Sequence, residues 1–344
     1  KSGNPNFRSH DSTTAIRLTA SCNHDGKLQT SEETNIVIMS DKTPLISVIV
    51  PVYNGRAFLH QCLDAIFASN HPAFEVIVVD DCSTDESADL SRKKGAMVIS
   101  TPKRSGPASA RNLGAEKASG ELLMFIDADV VVTRDTLGKV VEHFVRQPDL
   151  AALFGSYDDE PAEQNFLSQY KNLQHHFIHQ TSRSEAFTFW SGLGAMRSEV
   201  FLKFEGFDSQ KFAVPSIEDI DLGFRIHRAG YRIVLDRNIQ AKHLKKWEIV
   251  SHLRTEVFCR ALPWSRLILE SQGLKNDMNV KNSDRLSAVL VGISLLLLPF
   301  IVWQPLLALV AACCIVALIV LNRRILSFYA RKRGILFALM TIPW

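Results

Sequence analysis

The sequence predicts an α/β protein with a mostly parallel central sheet flanked by helices, and three observations lead to that prediction. Short runs rich in Val and Ile alternate with helical stretches from Leu45 onward. These runs are apolar on both faces, as in strands that helices cover on both sides. Polar residues follow three of the runs, and open parallel sheets bind ligands beyond the carboxyl ends of their strands. The alternation favours right-handed crossovers within one sheet.

The elements of the first half are predicted in order. We expect strands in the stretches LISVIVP, FEVIVVD, AMVIS and ELLMFID. Helices are expected at residues 56–69, 83–95, 107–119 and 133–146. Residues 83–86 have the pattern of a capping box, and Pro107 suits the first turn of a helix.

The pattern is less regular after Gln164. A helix is expected in NFLSQYKNLQHHFIHQ, followed by the aromatic, glycine-containing stretch FTFWSGLGAMR. A second helix in SIEDIDLGFRIHRAG leads to a strand in YRIVLD. The α/β domain is therefore expected to span residues 44–244.

The segments on either side of this domain differ from it in composition. Residues 1–43 are polar and lack sustained periodicity, as in a disordered extension. Residues 245–284 form the next expected segment, and from 245 to 271 apolar residues recur at roughly helical spacing, broken at Pro263, among Lys and Arg. That pattern fits a helix lying on a membrane surface, and it equally fits an ordinary helix packed on the domain.

Residues 285–344 form the expected membrane segment. No charged residue occurs between Arg285 and Arg323. One helix over this gap would be about 55 Å long, against a hydrocarbon core of about 30 Å. Two spans at 286–302 and 306–321 fit better, the alternative being a buried hairpin in a soluble protein. A further apolar stretch begins at residue 334.

Basic residues predict how the expected spans are oriented. They flank both outer ends of the hairpin. By the positive-inside rule, both ends face the cytoplasm. The α/β domain is then expected on the cytoplasmic side of an inner or plasma membrane.

Two acidic pairs end predicted strands. Asp127 and Asp129 stand one residue apart, and in an extended chain both carboxylates would lie on the same side. Carboxylates that face one point bind a hard divalent cation well, although aspartates after strands also cap helices. Asp80 and Asp81 end another strand, where a carboxylate can accept a hydrogen bond from a nucleotide base.

A third acidic cluster and a histidine extend the candidate site. Glu218, Asp219 and Asp221 are more acids than the first turn of a helix needs, so one of them can act as a general base. His243 follows the last predicted strand beside lysines, where it can ligate a metal or meet a phosphate.

Several classes of protein are disfavoured. The G-x-G-x-x-G, P-loop and G-x-S-x-G motifs are missing from the sequence. The six cysteines are scattered and form no C-x-x-C pair, which argues against a zinc site or a disulfide framework. A net charge of +3 gives no indication of nucleic acid as a partner.

Five stretches together resemble glycosyltransferase family 2. ISVIVPVYNG, VIVVDDCSTDES, SGPASARNLGAEKASGELLMFIDADV, WSGLGAMRSEVF and EDIDLGFRIHRAGY occur in the order and at the spacings of that family. The similarity covers about residues 45–243. It implies the GT-A fold, an inverting reaction that uses a nucleotide sugar, and a divalent cation, Mg²⁺ or Mn²⁺.

The resemblance also implies roles for individual residues. Asp219 would be the catalytic base, with Glu218 beside it. Asp129 and His243 would ligate the cation. The nucleotide and its sugar would be bound by Pro51, Tyr53, Asp81, Arg111, Asp127, Asp129 and Trp190.

The expected acceptor is a sugar or a lipid-linked glycan at the membrane, as in cell-envelope polysaccharide or glycolipid synthesis. The stretch CRALPWSR lacks the Q-x-x-R-W motif of processive synthases, which argues against a polysaccharide synthase with its own pore. One alternative is a membrane-anchored protein that binds a nucleotide sugar without catalysis. The other is a nucleotidyltransferase on the same fold, whose basic, glycine-rich loop after the first strand is missing here.

Overall fold

The computed structural model describes residues 43–270 and 282–344. The predicted N-terminal extension lies outside the described residues, apart from its last residue. Part of the predicted interfacial segment, residues 271–281, also lies outside them.

The described residues contain one mixed sheet of nine strands. Eight of them lie in the order β3-β2-β1-β4-β8-β6-β9-β5, and β7 pairs with β9. Strands β1 to β9 are Ile46–Val52, Phe74–Asp80, Met97–Ser100, Leu122–Ile126, Val130–Val132, Leu150–Tyr157, Glu185–Ala186, Leu193–Arg197 and Arg232–His243. Strands β1 to β4 run parallel to one another, whereas β8 is antiparallel to both β4 and β6.

Helices cover the two faces of this sheet. Helices α1 to α7 are Arg56–Phe67, Ser87–Lys93, Pro107–Lys117, Thr136–Arg146, Phe166–Thr181, Ser198–Lys203 and Glu218–Arg228. Side chains alternate along β1, so that Val48 and Val50 pack with α1 and α4 while Ile49 packs with α3 and α7. The result is a three-layer domain of the predicted α/β class.

The four strands predicted in the first half are confirmed, but the start of α2 differs from the prediction. Helix α2 begins at Ser87 rather than at 83. The Ser83 Oγ accepts a hydrogen bond from the Asn54 N–H (2.9 Å), and Asp85 accepts one from the Arg56 N–H (2.9 Å). The side chains that suggested a capping box therefore tie the β2–α2 loop to the β1–α1 loop.

Strands β6 and β8 were not predicted from the sequence. Every residue of β6 is buried, so its stretch LAALFGSY carries no alternation that would distinguish it from a buried helix. Strand β8 forms the end of the aromatic stretch FTFWSGLGAMR and contains Gly194, which weakens its strand signal.

The C-terminal part of the chain is helical. Helices α8 to α13 are Ile249–Arg254, Leu262–Glu270, Asn282–Leu297, Leu306–Leu321, Arg323–Arg333 and Ile335–Met340. A π-helical turn, Thr255–Ala261, joins α8 to α9, and a 3₁₀ turn, Leu298–Phe300, extends α10. Helices α12 and α13 pack against α5 through Tyr329 and Ala338.

The predicted membrane hairpin corresponds to α10 and α11, which pack against each other. Within the described ranges, Asn282–Phe300 alone is long and apolar enough to cross a membrane by itself. Leu306–Leu321 meets the same criterion only together with Arg323–Arg333, from which it is bent by 69°. The hairpin as two membrane spans therefore stays a prediction.

Candidate functional site

The candidate site lies where β1, β2 and β4 end, opposite the start of α7. The loop after β1 carries Tyr53, the loop after β2 carries Asp81, and a turn after β4 carries Asp127 and Asp129. His243 ends β9, where it pairs in register with Val130 of β5. The sheet order thus brings most of the residues predicted for the site to one edge.

Asp81 organises the loop that leads into α3. Its buried carboxylate accepts hydrogen bonds from the Thr101 hydroxyl (2.9 Å), from the N–H and hydroxyl of Ser105 (both 2.8 Å), and from the Gly106 N–H (2.8 Å). Gly106 precedes α3 with φ of +86°, a conformation that glycine adopts without strain. These contacts give Asp81 a structural task besides the predicted contact with a base.

The aromatic ring of Tyr53 lies beside this loop. Its side chain is 42% exposed, and the Arg104 guanidinium lies 3.9 Å from the ring centroid. This ring therefore offers a flat, accessible surface next to a cation. Pro51 is only partly buried, near the end of β1.

Arg111 joins the two sides of the cleft. One guanidinium nitrogen lies 2.7 Å from the Asp127 Oδ1 and another lies 2.9 Å from the Glu218 Oε1. Arg111 and Glu218 are both buried, with side chains only 5% and 6% exposed. Burial works against the charge of Arg111, but these two carboxylates outweigh it and raise its pKa. The predicted contact of Arg111 is the nucleotide, whereas the structure pairs it with two carboxylates of the site.

The stretch Asp127-Ala128-Asp129 forms a turn, and the expectation of an extended chain was wrong. The Val130 N–H donates to the Asp127 carbonyl at 3.0 Å, which closes the turn. The chain turns here because β5 does not continue β4 but pairs with β9 instead. The Asp129 Oδ2 lies 3.6 Å from the His243 Nε2.

The two aspartates differ in their acidity. Burial raises the pKa of Asp127, and the nearby charge of Asp129 adds to that rise. Burial by itself would also raise the pKa of Asp129, but the neighbouring His243 outweighs it and lowers that pKa. Asp129 is thus the more readily ionised of the two carboxyl groups.

Asp129 and His243 have the chemistry of a cation site that the ligand completes. Across residues 43–270 and 282–344, no three His, Cys, Asp or Glu side chains are grouped so that they could hold a metal by themselves. Two donor atoms 3.6 Å apart can still contact one ion. Mg²⁺ in particular is commonly bound by one or two carboxylates together with the phosphates of a substrate.

Asp219 faces the cleft from the first turn of α7. Its Oδ2 accepts hydrogen bonds from the N–H (2.9 Å) and the hydroxyl (3.1 Å) of Ser191, and its Oδ1 accepts one from the Ile220 N–H (2.8 Å). Burial, followed by the negative charge of Glu218, raises the pKa of Asp219 to about 6. A carboxyl group held this way is fixed in direction and can still exchange a proton near neutral pH.

A close approach of two backbones makes that contact possible. A methyl group at Gly223 of α7 would overlap the backbone of Thr188 and Phe189. Only glycine therefore lets α7 come near enough for Asp219 to reach Ser191. Sequence reasoning missed Ser191, although it lies within the quoted stretch WSGLGAMR.

Trp190 forms an aromatic wall of the cleft. Its ring packs against those of Tyr157, His175 and His179, with ring centroids 4.8, 4.7 and 5.2 Å apart, respectively. Tyr157 also stacks on His243, with centroids 4.2 Å apart and planes tilted by 11°. Burial lowers the pKa of His179 to about 3, so that this histidine stays neutral. Tyr157 was missed because it belongs to β6, which the sequence did not reveal.

Known proteins resemble this chain in sequence. Residues 47–204 match the model of the family described as "Glycosyl transferase family 2". An "Uncharacterized glycosyltransferase" of Haemophilus influenzae is 37% identical over 119 residues, which are 33% of this chain and 47% of that protein. The "Putative teichuronic acid biosynthesis glycosyltransferase TuaG" of Bacillus subtilis is 35% identical over 124 residues, 35% of this chain and 49% of that protein. The chain thus matches about half the length of these relatives.

Solved structures resemble the chain more distantly. A mannosyltransferase from Pyrobaculum calidifontis, in complex with GDP-Man and Mn²⁺, has a TM-score of 0.49 at 20% identity, covering 87% of this chain and 79% of its own. Residues 1–349 of S. aureus TarS, in complex with UDP-GlcNAc, have a TM-score of 0.45 at 22% identity and cover 59% of each chain.

Proposed function

We propose that this chain, which carries a glycosyl transferase family 2 domain of the GT-A-like α/β fold, moves a sugar from a nucleoside-diphosphate sugar to an acceptor hydroxyl with inversion. The observation that carries the proposal is the arrangement of the cleft. A fixed carboxyl group, Asp219, faces it from α7, and the Asp129–His243 pair lies at the strand ends.

Asp219 is the proposed general base. Its pKa of about 6 lies close enough to neutral pH for it to be ionised at rest and still accept a proton. The acceptor oxygen gives its proton to Asp219 as it attacks the anomeric carbon. The bond from that carbon to the diphosphate oxygen breaks, and its electron pair leaves with the nucleoside diphosphate. Glu218 lies beside the base and stays paired with Arg111.

Asp129 and His243 would hold the divalent cation, Mg²⁺ or Mn²⁺. When bound there, the ion would offset the negative charge that grows on the departing diphosphate. The low pKa of Asp129 supports this role, because an ionised carboxylate is the form that binds a cation.

The remaining site residues would hold the donor. The exposed ring of Tyr53 suits stacking on a nucleotide base, and Asp81 shapes the neighbouring loop. Pro51, near the end of β1, would contribute to the same pocket. Asp127 would face the ribose, positioned by Arg111. Trp190 would line the pocket of the donor sugar.

The proposed acceptor is a glycan of the cell envelope, free or linked to a lipid. The name of the Bacillus subtilis relative supports a polysaccharide of the envelope. The apolar helix Asn282–Phe300 supports an acceptor near a membrane. The basic residues that flank the predicted hairpin favour the cytoplasmic side of that membrane for the α/β domain.

A panel of nucleotide sugars tests this function. The full chain is incubated with UDP- and GDP-sugars and Mg²⁺ or Mn²⁺, and the release of UDP or GDP is measured with and without acceptor glycans. Transfer predicts release of the nucleoside diphosphate from at least one donor. Binding without release would favour a non-catalytic protein, and formation of pyrophosphate from a nucleotide and a sugar phosphate would favour a nucleotidyltransferase.

A further inference from the structure

The helices around the π-helical turn carry apolar side chains that are largely exposed in the part of the chain that the structure describes. We call the surface that they form the apolar stripe. Its members are exposed aliphatic or aromatic side chains: Ile249, Val250, Leu253, Val257, Phe258, Leu262 and Leu269. Phe258 is 64% exposed and Leu269 is 83% exposed. Contiguous exposed apolar patches of this kind mark sites of interaction.

The π-helical turn is what gathers these side chains on one side. In an uninterrupted α-helix, at about 100° per residue, the seven side chains would spread over roughly 220° of the circumference. A π turn closes its hydrogen bonds from i to i+5 and so holds more residues, which rotates everything after it backwards. Phe258, Leu262 and Leu269 then return to the side of Val250, and the stripe narrows to roughly 120°.

The opposite side of the same helices is fixed to the α/β domain. The ring centroid of His252 lies 6.2 Å from that of Tyr170 in α5, and Glu256 pairs with Lys171 of the same helix at 2.7 Å. Leu267 is buried against Phe212 and Ile217. The inward side is therefore occupied before, within and after the π turn, which leaves the apolar stripe as the outward side.

We propose that the apolar stripe docks on a lipid surface with anionic headgroups. A helix with one apolar side and basic residues beside it suits the boundary between headgroups and acyl chains. Arg254 and Arg266 are both exposed beside the stripe, where they can meet anionic headgroups, although Arg266 also pairs with Glu270 at 2.7 Å. The chain then continues into Asn282–Phe300, the helix that is apolar enough to cross the membrane at that same surface.

Docking would set the height of the catalytic cleft above the membrane. Ser216 lies two residues before Glu218, the first residue of α7. Its hydroxyl donates a hydrogen bond to the Cys259 carbonyl of the π turn at 3.0 Å. Lys211 pairs with Glu270 of α9 (3.1 Å) and with Asp221 of α7 (3.3 Å). Helix α7 is thus tied to the proposed lipid-facing helices at two points. The docking itself does not rest on the proposed function, because contact with lipid needs no turnover.

Photocrosslinking from single positions tests the proposal. The photoreactive amino acid benzoylphenylalanine replaces Val250, Phe258, Leu262 or Leu269 in the full chain. Each variant is reconstituted in vesicles of phosphatidylethanolamine and phosphatidylglycerol. The matched control is Leu202 of α6, which is 57% exposed on the α/β domain. Adducts are identified by mass spectrometry, and release of UDP or GDP is measured separately.

Lipid adducts at all four stripe positions, in roughly tenfold excess over position 202, are the expected result for side chains that enter the headgroup boundary. Lipid adducts at Val250 without adducts at Phe258, Leu262 and Leu269 would contradict the claim that the π turn places all four side chains on one side. Adducts to protein at these positions, whether to a second copy or to residues 1–42, would overturn lipid as the occupant. Loss of donor turnover with lipid adducts intact would count against the proposed function alone.

Discussion

The cleft buries the charged side chains of Arg111 and Glu218, whereas the helices after Glu248 expose apolar ones such as Phe258 and Leu296. Both regions depart from the usual distribution of residues, and in opposite directions. A buried charge persists only when partners compensate for its lost hydration, as Asp127 and Glu218 do for Arg111. An exposed apolar side chain needs no such partner, and a group of them forms a surface on which a lipid membrane or another protein can bind.

The difference concerns what holds each region in place. In the cleft, each buried charged group depends on a specific neighbour of opposite charge. Removing one partner leaves the other charge buried without compensation. Along the apolar stripe the side chains are largely exposed and have little protein packing to lose. Substitutions should therefore have large and specific effects in the cleft and small effects on stability along the apolar stripe.

Removal of divalent cations should have the largest effect. If Asp129 and His243 bind the ion together with the diphosphate, a chelator should abolish transfer and added Mg²⁺ or Mn²⁺ should restore it. Release of the nucleoside diphosphate is the measurement, with far-UV circular dichroism to confirm that the fold is intact. Turnover that survives thorough chelation would contradict the metal role.

Arg111→Ala should strongly destabilise the α/β domain. The substitution leaves the buried Glu218 without its cation, and breaking such a pair costs about 3–5 kcal/mol. Urea unfolding followed by tryptophan fluorescence measures the loss. The control is Arg92→Ala, which breaks the exposed pair with Asp89 and should cost less than about 1 kcal/mol.

The outcome for Arg111 also distinguishes two roles. A variant with unchanged stability and weakened nucleotide binding would favour the contact with the nucleotide that the sequence predicts. A variant with lost stability favours the bridge between carboxylates.

The pH dependence of kcat/KM should reveal Asp219. Burial and Glu218 raise the pKa of Asp219 to about 6, and only the ionised form accepts a proton. Activity should therefore fall as the pH drops through about 6. Glu218→Gln removes the neighbouring negative charge, so the acidic limb should move to lower pH by roughly one unit. If the acidic limb of the pH profile does not move in Glu218→Gln, then the limb reports the ionisation of a group other than Asp219.

Stability should be least sensitive along the apolar stripe. Val250 is 79% exposed, and Val250→Ala should change the unfolding free energy by less than about 0.5 kcal/mol. Val50 lies fully buried in β1, and Val50→Ala should cost about 2 kcal/mol or more through lost burial and the cavity left behind. Urea unfolding of both variants measures the two changes in unfolding free energy. Equal losses of stability in the two variants would contradict the expected difference.

Sequence reasoning was most successful where function is encoded locally. The polar residues after β1, β2 and β4 were predicted to meet at one edge because parallel strands share their carboxyl ends, and the structure brings them there. The helix that begins at Glu218 was predicted from its own pattern of acids and apolar residues. Each of these predictions needed only a short window of sequence.

The contacts between distant segments could not be predicted. Arg111 meets Glu218 across 107 positions, and Ser191 meets Asp219 across 28. The sequence of either segment contains no sign of the other. The π turn was equally hidden, because uninterrupted α-helical geometry spreads the members of the apolar stripe over roughly 220° of the helix until that turn is known.

The central claim is that Asp219 takes the proton of the acceptor, and Asp219→Asn tests it most directly. Asparagine keeps the size of the side chain and can still accept the hydrogen bond of Ser191, but it cannot accept the proton. For Asp219→Asn, kcat for transfer should fall by roughly 10²–10⁴-fold at unchanged donor affinity. The control is Glu199→Gln, at an exposed position of α6, which should leave kcat unchanged. Turnover near that of the wild type, in a folded protein that binds donor normally, would contradict the claim.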